Sequence, residues 1–433
     1  MHCRSGASRL RRVLTISALA AVAFAFAPTL DASAYTLTTL HTFCSAANCS
    51  DGAYPWGGLL QDQSGDFYGM TNAGGKYLDG VVFELVPNGS SYKEQVLHNF
   101  CARADCTDGR GPLGDLIMDM DGNLYGTTQY GGAYDAGTIF KLTRGDNGWS
   151  LSVLHNFCRQ ANCTDGKSPQ TALVMADQRH FFGTTPGGGA HGDGTAYELT
   201  HNMDGTWSYA VIYSFCAKAN CADGGPPKSD LIVDKDGRLY GTTLSGGAGQ
   251  GNVYRLQHTG TGWTETVIVD FCTAGACKLG RSPTAGLSYA GQRTGAAWDE
   301  SSPLFGTTSG GGKHDHGVVF ELVHDSSGWT YSVLRSFDVG IGPGALTVSS
   351  GGNLYGTTFN SEFPSNAGLA FKLAHDTWAE TVLYVFCTGT CDQGDGDNPS
   401  AARPIIDANG NVFSTTVNGI SSSPGGTVFK LTP

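Results

Sequence analysis

Two glycine-rich segments concentrate the groups that could do acid–base or metal chemistry. "GGGAHGDG" (Gly187–Gly194) carries His191 and Asp193, and "GGGKHDHG" (Gly310–Gly317) carries Lys313, His314, Asp315 and His316. Imidazole beside carboxylate can bind a transition metal or exchange protons near neutral pH. The corresponding segments elsewhere hold Asp79, Asp135, Gln250 and Asn366. Polar side chains there also satisfy the backbone of tight turns, which is the preferred reading. A second set, Asp51, Asp108, Asp165 and Asp223, stands before glycine just after successive cysteine pairs. An arc of carboxylates suits calcium, but no EF-type spacing is present and Asp-Gly is ordinary turn chemistry. The six residues of the two glycine-rich segments are therefore carried as ligand-binding candidates. No residue is given a catalytic role, and calcium or a transition metal stays open as a cofactor.

Other signals are weaker. His41, His98 and His155 recur at one position of a repeated strand where Tyr213, Arg335 and Tyr384 stand elsewhere. That tolerance points to a rim position and away from a catalytic ring. No serine-nucleophile elbow is present, and no carboxylate pair marks itself out for glycoside hydrolysis, which depends on a spatial separation.

The segments belong to a repeat. "LYGTTQYGG" begins at Leu124, and related phrases begin at Phe67, Phe181, Leu239, Leu304, Leu354 and Val412. A recurrence every fifty to sixty-five residues is a repeat architecture. One copy reads as four short strands: Gly114–Gly122, Asn123–Thr128, Gly137–Thr143 and Trp149–Phe157. Each is rich in β-branched or aromatic residues and bounded by Gly, Asp or Asn, as in an antiparallel meander. Four strands per repeat fit a propeller blade.

The ends of the repeat set decide the count. "YTLTTLHTF" (Tyr35–Phe43) is a fourth strand without its first three, and the last copy supplies three strands without a fourth. Pairing the two closes a ring and removes an open edge. The expected fold is all-β, a seven-bladed propeller over residues 35–433. Seven copies of one phrase mark a structural element, since one active site would not be written seven times. The connections after strands four and two share a face, and that face is the expected ligand face.

Residues 1–34 read as a signal peptide, with four early arginines, an apolar run from Val13 to Ala27 and the small-residue site Ala32-Ser33-Ala34. Its removal takes four Arg and one Asp and moves the net charge from −12 to −15. Such acidity argues against nucleic acid and anionic membranes as partners. No transmembrane segment is expected in the mature chain, which should be a secreted or periplasmic monomer. Of the thirteen cysteines, Cys3 leaves with the leader. The others form close pairs: Cys44/Cys49, Cys101/Cys106, Cys158/Cys163, Cys216/Cys221, Cys272/Cys277 and Cys387/Cys391. In an exported chain these read as local disulfides.

The pattern "LYGTTxxGGxxxxGxVFxL", clearest at Leu124–Leu142, Phe181–Leu199, Leu239–Leu256 and Leu304–Leu322, resembles the GloVer-type tandem repeat of exported bacterial proteins, a choice-of-anchor group. The resemblance covers nearly the whole mature chain. It implies a β-propeller-like repeat protein of unassigned activity and offers no catalytic signature to carry over. Members often end in a surface anchor, and Phe429–Pro433 does not match one. The leading expectation is a non-enzymatic exported propeller that binds a glycan or protein. The alternative is a polysaccharide lyase or glycoside hydrolase using the loops of blades three and five.

Overall fold

A computed structural model describes residues 35–433 apart from 90, 248, 274–276, 339–340, 361–366, 388–394, 401 and 420–424. Seven antiparallel sheets form the expected seven-bladed propeller. In blade two, Ile117–Met118 lies innermost, followed outward by Leu124–Tyr130, Thr138–Gly145 and Gly148–Asn156. The innermost strand is much shorter than the expected Gly114–Gly122. The cause is local: Asp119 Oδ1 accepts from the backbone of Asp121 and Asn123 and turns the chain at once. In blade five this strand shrinks to a single bridge between Ser288 and Phe305.

Closure follows the expected pairing. Thr36–Thr42 forms the outer strand of blade seven, antiparallel to Thr427–Thr432, with Leu37 opposite Leu431. Apolar clusters fill the spaces between neighbouring blades; Tyr125, Leu173, Phe181 and Tyr197 form one such cluster between blades two and three.

The glycine and the two threonines of the repeated phrase each have a physical job. Gly126 stands opposite Phe140 on the adjacent strand. A Cβ on Gly126 would meet Phe140 Cζ at 2.7 Å, far inside van der Waals contact. Gly69, Gly183, Gly241, Gly306 and Gly356 lie under rings in the same way. Blade seven substitutes Ser414, opposite Phe429.

The first threonine latches six of the seven blades to the next. Thr127 Oγ1 donates to Thr171 O of blade three at 3.1 Å, and Thr357 Oγ1 to Ser400 O of blade seven at 2.9 Å. Thr184, Thr242, Thr307 and Thr415 make the same reach, the last to Gly57 O of blade one. Blade one has Met70 at this position and packs it into the core instead. The second threonine serves its own blade, since Thr128 Oγ1 accepts from Thr138 N and donates to Tyr130 O. Six hydroxyl latches around one ring explain the repetition without any chemistry.

Candidate ligand-binding face

The cysteine loops and the paired-glycine loops rise on one face and lock together. Five disulfides join the expected partners within each loop: Cys44 to Cys49, Cys101 to Cys106, Cys158 to Cys163, Cys216 to Cys221 and Cys272 to Cys277. Cys387 is also disulfide-bonded; Cys391, its expected partner, lies outside the described residues. Beyond their covalent role these cysteines have a second one. The carbonyl of the later cysteine in each pair receives the paired-glycine loop. Gly132 N donates to Cys106 O at 2.9 Å. Equivalent bonds run from Gly75 to Cys49, Gly189 to Cys163, Gly247 to Cys221 and Gly312 to Cys277. The preceding Gly131 has φ +74, and a Cβ there would strike Cys106 O at 2.7 Å. Both a left-handed backbone and this close approach require glycine.

The aspartates after the cysteines are internal staples. Asp108 is fully buried and accepts from Ala102 N at 3.1 Å, Arg103 N at 3.2 Å and His98 Nε2 at 3.0 Å. Burial works against its charge, but the His98 bond and backbone donors outweigh it and hold its pKa below the usual range. Asp165 takes the backbone of Arg159 and Gln160, and Asp223 that of Ala217 and Lys218. The oxygens of Asp108, Asp165 and Asp223 are already committed to N–H and O–H donors, so these three serve turns and not an open calcium cage. This geometry also explains the histidine–tyrosine exchange. Tyr213 Oη donates to Asp223 at 2.8 Å and Tyr384 Oη to Asp395 at 3.2 Å, the same task His98 performs. His41 and His155 are largely buried, and burial lowers the pKa of each despite a nearby Asp.

The six candidates from the glycine-rich loops are placed separately. Asp315 pairs with Arg281 and accepts from Gly311 N at 2.7 Å. The Arg281 bond is the main reason its pKa falls to about 2. His314 Nε2 lies 3.0 Å from Asp338 Oδ1, and His316 Nδ1 lies 3.1 Å from Asp338 O. Lys313 and His191 are exposed. Asp193 comes within 4.8 Å of the Cys216 and Cys221 sulfurs, as Asp79 does of Cys101 and Cys106. These sulfurs are bonded to each other and offer no thiolate to a metal. These contacts run from the blade-five loop to the connections on either side of that blade, at Arg281 and Asp338, and from Asp193 to the connection after blade three.

Exposed aromatic rings in the loops of two neighbouring blades were not singled out from the sequence. Among the described residues nine large hydrophobic side chains are exposed, and six of them belong to this face at blades one and two. They are Tyr54, Trp56, Tyr77, Leu78, Tyr130 and Tyr134, and they include every exposed aromatic. Trp56 stacks on Phe359 of blade six with ring centroids 5.7 Å apart. Arg110 lies over Tyr130 at 5.3 Å and pairs with Asp135. Lys76 lies over Tyr77, also at 5.3 Å. Beside Tyr134 a cleft of about 290 Å³ is lined by Leu154, His155, Asn156 and Arg159. The rings fall in separate loops of two neighbouring repeats, and comparing loops between blades is the signal that would have found them.

Comparison with known proteins agrees with this architecture. Residues 26–178 match the Gloeobacter/Verrucomicrobia repeat. No curated protein matches the chain. Among solved structures, the chain is similar to an extracellular domain assigned to a hybrid two-component system of B. thetaiotaomicron, at 12% identity and a TM-score of 0.52. That match covers 90% of this chain and 39% of that one, so the repeat protein spans well under half its length. A Bacteroides uniformis protein assigned as a 6-phosphogluconolactonase matches at 13% identity, over 81% of this chain and 95% of that one, with a TM-score of 0.46. A gluconolactonase of Xanthomonas campestris matches at 14% identity, over 74% and 90%, with a TM-score of 0.37. At these identities the likeness is one of fold alone. Among the described residues no helix is long and apolar enough to cross a membrane.

Proposed function

We propose that this Gloeobacter/Verrucomicrobia-repeat propeller is an exported carbohydrate-binding protein that holds a glycan, without cleaving it, on the loop face of blades one and two. The observation that carries the reading is that, among the described residues, every exposed aromatic ring belongs to the loops of blades one and two on that face. Exposed rings are unfavourable in water unless a partner covers them, and such patches mark interaction sites. The apolar C–H face of a sugar ring covers an aromatic face well, while its hydroxyls bond to charged groups at the edge. Lys76, Arg110, Asp135 and Arg159 stand in that edge. Tyrosine and tryptophan are rigid, so little side-chain entropy is lost on binding. The leader-like residues 1–34 and the local disulfides support export. Against the enzymatic alternative, the Asp and His groups of blade five are already paired with neighbours.

The test is incubation of the purified protein with a panel of soluble polysaccharides, scored for depletion and for released oligosaccharides. Depletion without cleavage is expected. Tyr77→Ala and Tyr134→Ala should each weaken retention by about tenfold, the value of one lost stacking contact of roughly 1.4 kcal/mol. Retention equal to the parent in both variants refutes the aromatic site. Oligosaccharide release by the unaltered protein favours the enzyme.

A further inference from the structure

The innermost strands line an axial cavity of about 340 Å³, within the range of small-molecule sites. One register position of these strands, two residues before the one opposite the phrase's aromatic, differs sharply around the ring. It reads Gly58, Asp115, Ala172, Asp230, Gly286, Ala345 and Arg403. Four blades present nothing larger than a methyl group, and three present a charge. Asp115, Asp230 and Arg403 all line the cavity.

Each carboxylate is half committed. Gly58 N donates to Asp115 Oδ1 at 2.5 Å, and Ala172 N donates to Asp230 Oδ1 at 2.8 Å. Among the described residues neither Oδ2 receives a hydrogen bond, so one oxygen of each stays available to the channel. Arg403 is pinned to the wall: Nε donates to Leu346 O at 3.0 Å and Nη2 to Leu287 O at 2.9 Å. Around these groups the wall is largely aliphatic, with Leu60, Ile117, Val174 and Ile232. Asp115 feels the other two charges. Burial and then Asp230 push the Asp115 pKa up to about 6, while the Gly58 bond and Arg403 oppose the rise.

We propose that the axial channel is a binding site for a small organic monocation, a primary amine on a short apolar body, its ammonium held by the free oxygens of Asp115 and Asp230. Two carboxylates and one guanidinium leave one negative charge, which a single ammonium balances. A divalent cation would overshoot that balance beside Arg403 and would find few further oxygen ligands in an aliphatic wall. A neutral polyol would leave the charge uncompensated, and an anion would be repelled.

Calorimetric titration of the purified protein with butylamine, with butanol as its uncharged counterpart and with calcium chloride tests the site. Butylamine should bind at pH 7 and butanol at least about tenfold more weakly, the value of a charge-assisted contact of roughly 1.4 kcal/mol. A carboxylate of pKa about 6 is roughly nine-tenths ionised at pH 7 and one-tenth at pH 5, so butylamine affinity should fall about tenfold between them. Asp115→Asn and Asp230→Asn should each lose butylamine binding at unchanged melting temperature. Equal binding of butanol, preference for calcium, a flat pH profile or parent-like affinity in both variants overturns the proposal. The pH series on the unaltered protein decides the matter should either variant fail to fold.

Discussion

Replacing Gly126 by Ala tests why the phrase carries glycine. Backbone freedom is not the reason here, because Gly126 lies in a strand directly paired with Phe140. Alanine would by itself stabilise the chain by about 0.4–1 kcal/mol through the unfolded state. Its Cβ, however, would sit 2.7 Å from Phe140 Cζ and 3.1 Å from Leu116 Cδ2. The leucine methyl can rotate away. The Phe140 ring is fully buried and packs edge-on against Phe100 at 5.3 Å, so it has little room. Overpacking of this kind costs about 1–3 kcal/mol. The net expectation is a loss of about 0.5–2 kcal/mol, since the overpacking term exceeds the entropic gain. Ser414 shows that a ring at this position can give way, which argues for the lower half of that span. Urea unfolding of Gly126→Ala, Phe140→Leu and the double variant measures the coupling. The double variant should be more stable than the sum of the single losses by about 1 kcal/mol, because leucine vacates the contested space. A Gly126→Ala protein as stable as the parent, or additive losses, would refute the steric account.

Ser414→Ala should raise stability by about 1 kcal/mol in the same assay, because the buried Ser414 Oγ has no hydrogen-bond partner. Deleting Thr36–Thr42 leaves Thr427–Thr432 as an open edge. Size-exclusion chromatography should then show aggregates, and a monomer with parent-like melting would count against ring closure. For pH dependence, burial holds the His155 pKa below its unfolded value near 6.5. Its contribution is thus complete above pH 6.5 and lost as pH falls below it. The loss between pH 7.5 and 5.5 is about 1 kcal/mol if the ring stays neutral when folded. Glu94, raised to about 7 by burial and Asp51, works in the opposite direction, so the informative quantity is the parent's pH response minus that of His155→Tyr. An identical response in the two proteins would place the titration elsewhere. His314→Ala with His316→Ala should leave glycan retention unchanged, and a loss would return the site to blade five.

The fold was legible because its signals are periodic. The phrase recurs in register, and the orphan strand at Tyr35–Phe43 has one place to go. The inner strand was overread because Gly114–Gly122 looks continuous, while Asp119 ends it after Met118. The cysteine pairs were legible as bonds, but the carbonyls of Cys49, Cys163 and Cys277 as docking points for a second loop were not, because a backbone acceptor leaves no mark on residue type. The sites were less legible for two physical reasons. Conspicuous clusters such as His314-Asp315-His316 owe their composition to turn geometry and local pairing, so chemical promise in the sequence is satisfied by neighbours in space. The axial charges have the reverse character. Asp115, Asp230 and Arg403 each sit before an apolar pair and look unremarkable alone. Only sheet register puts them in one column beside four small residues.

The pairing of Leu37 with Leu431 joins the first strand to the last, and this sets an order of assembly. A strand that is made first must wait for a partner that is made last. Closing a free loop of that length costs about 5 kcal/mol in chain entropy. Once blades one to six have stacked, the same strand is tethered only by the short cysteine-bearing link to blade one, and most of that cost has gone. Closure is therefore a late, all-or-none step, and until it happens the waiting strand is an unpaired template that a second copy could seize. A chain built this way depends less on the strength of its final pairing than on how briefly that edge stays uncovered.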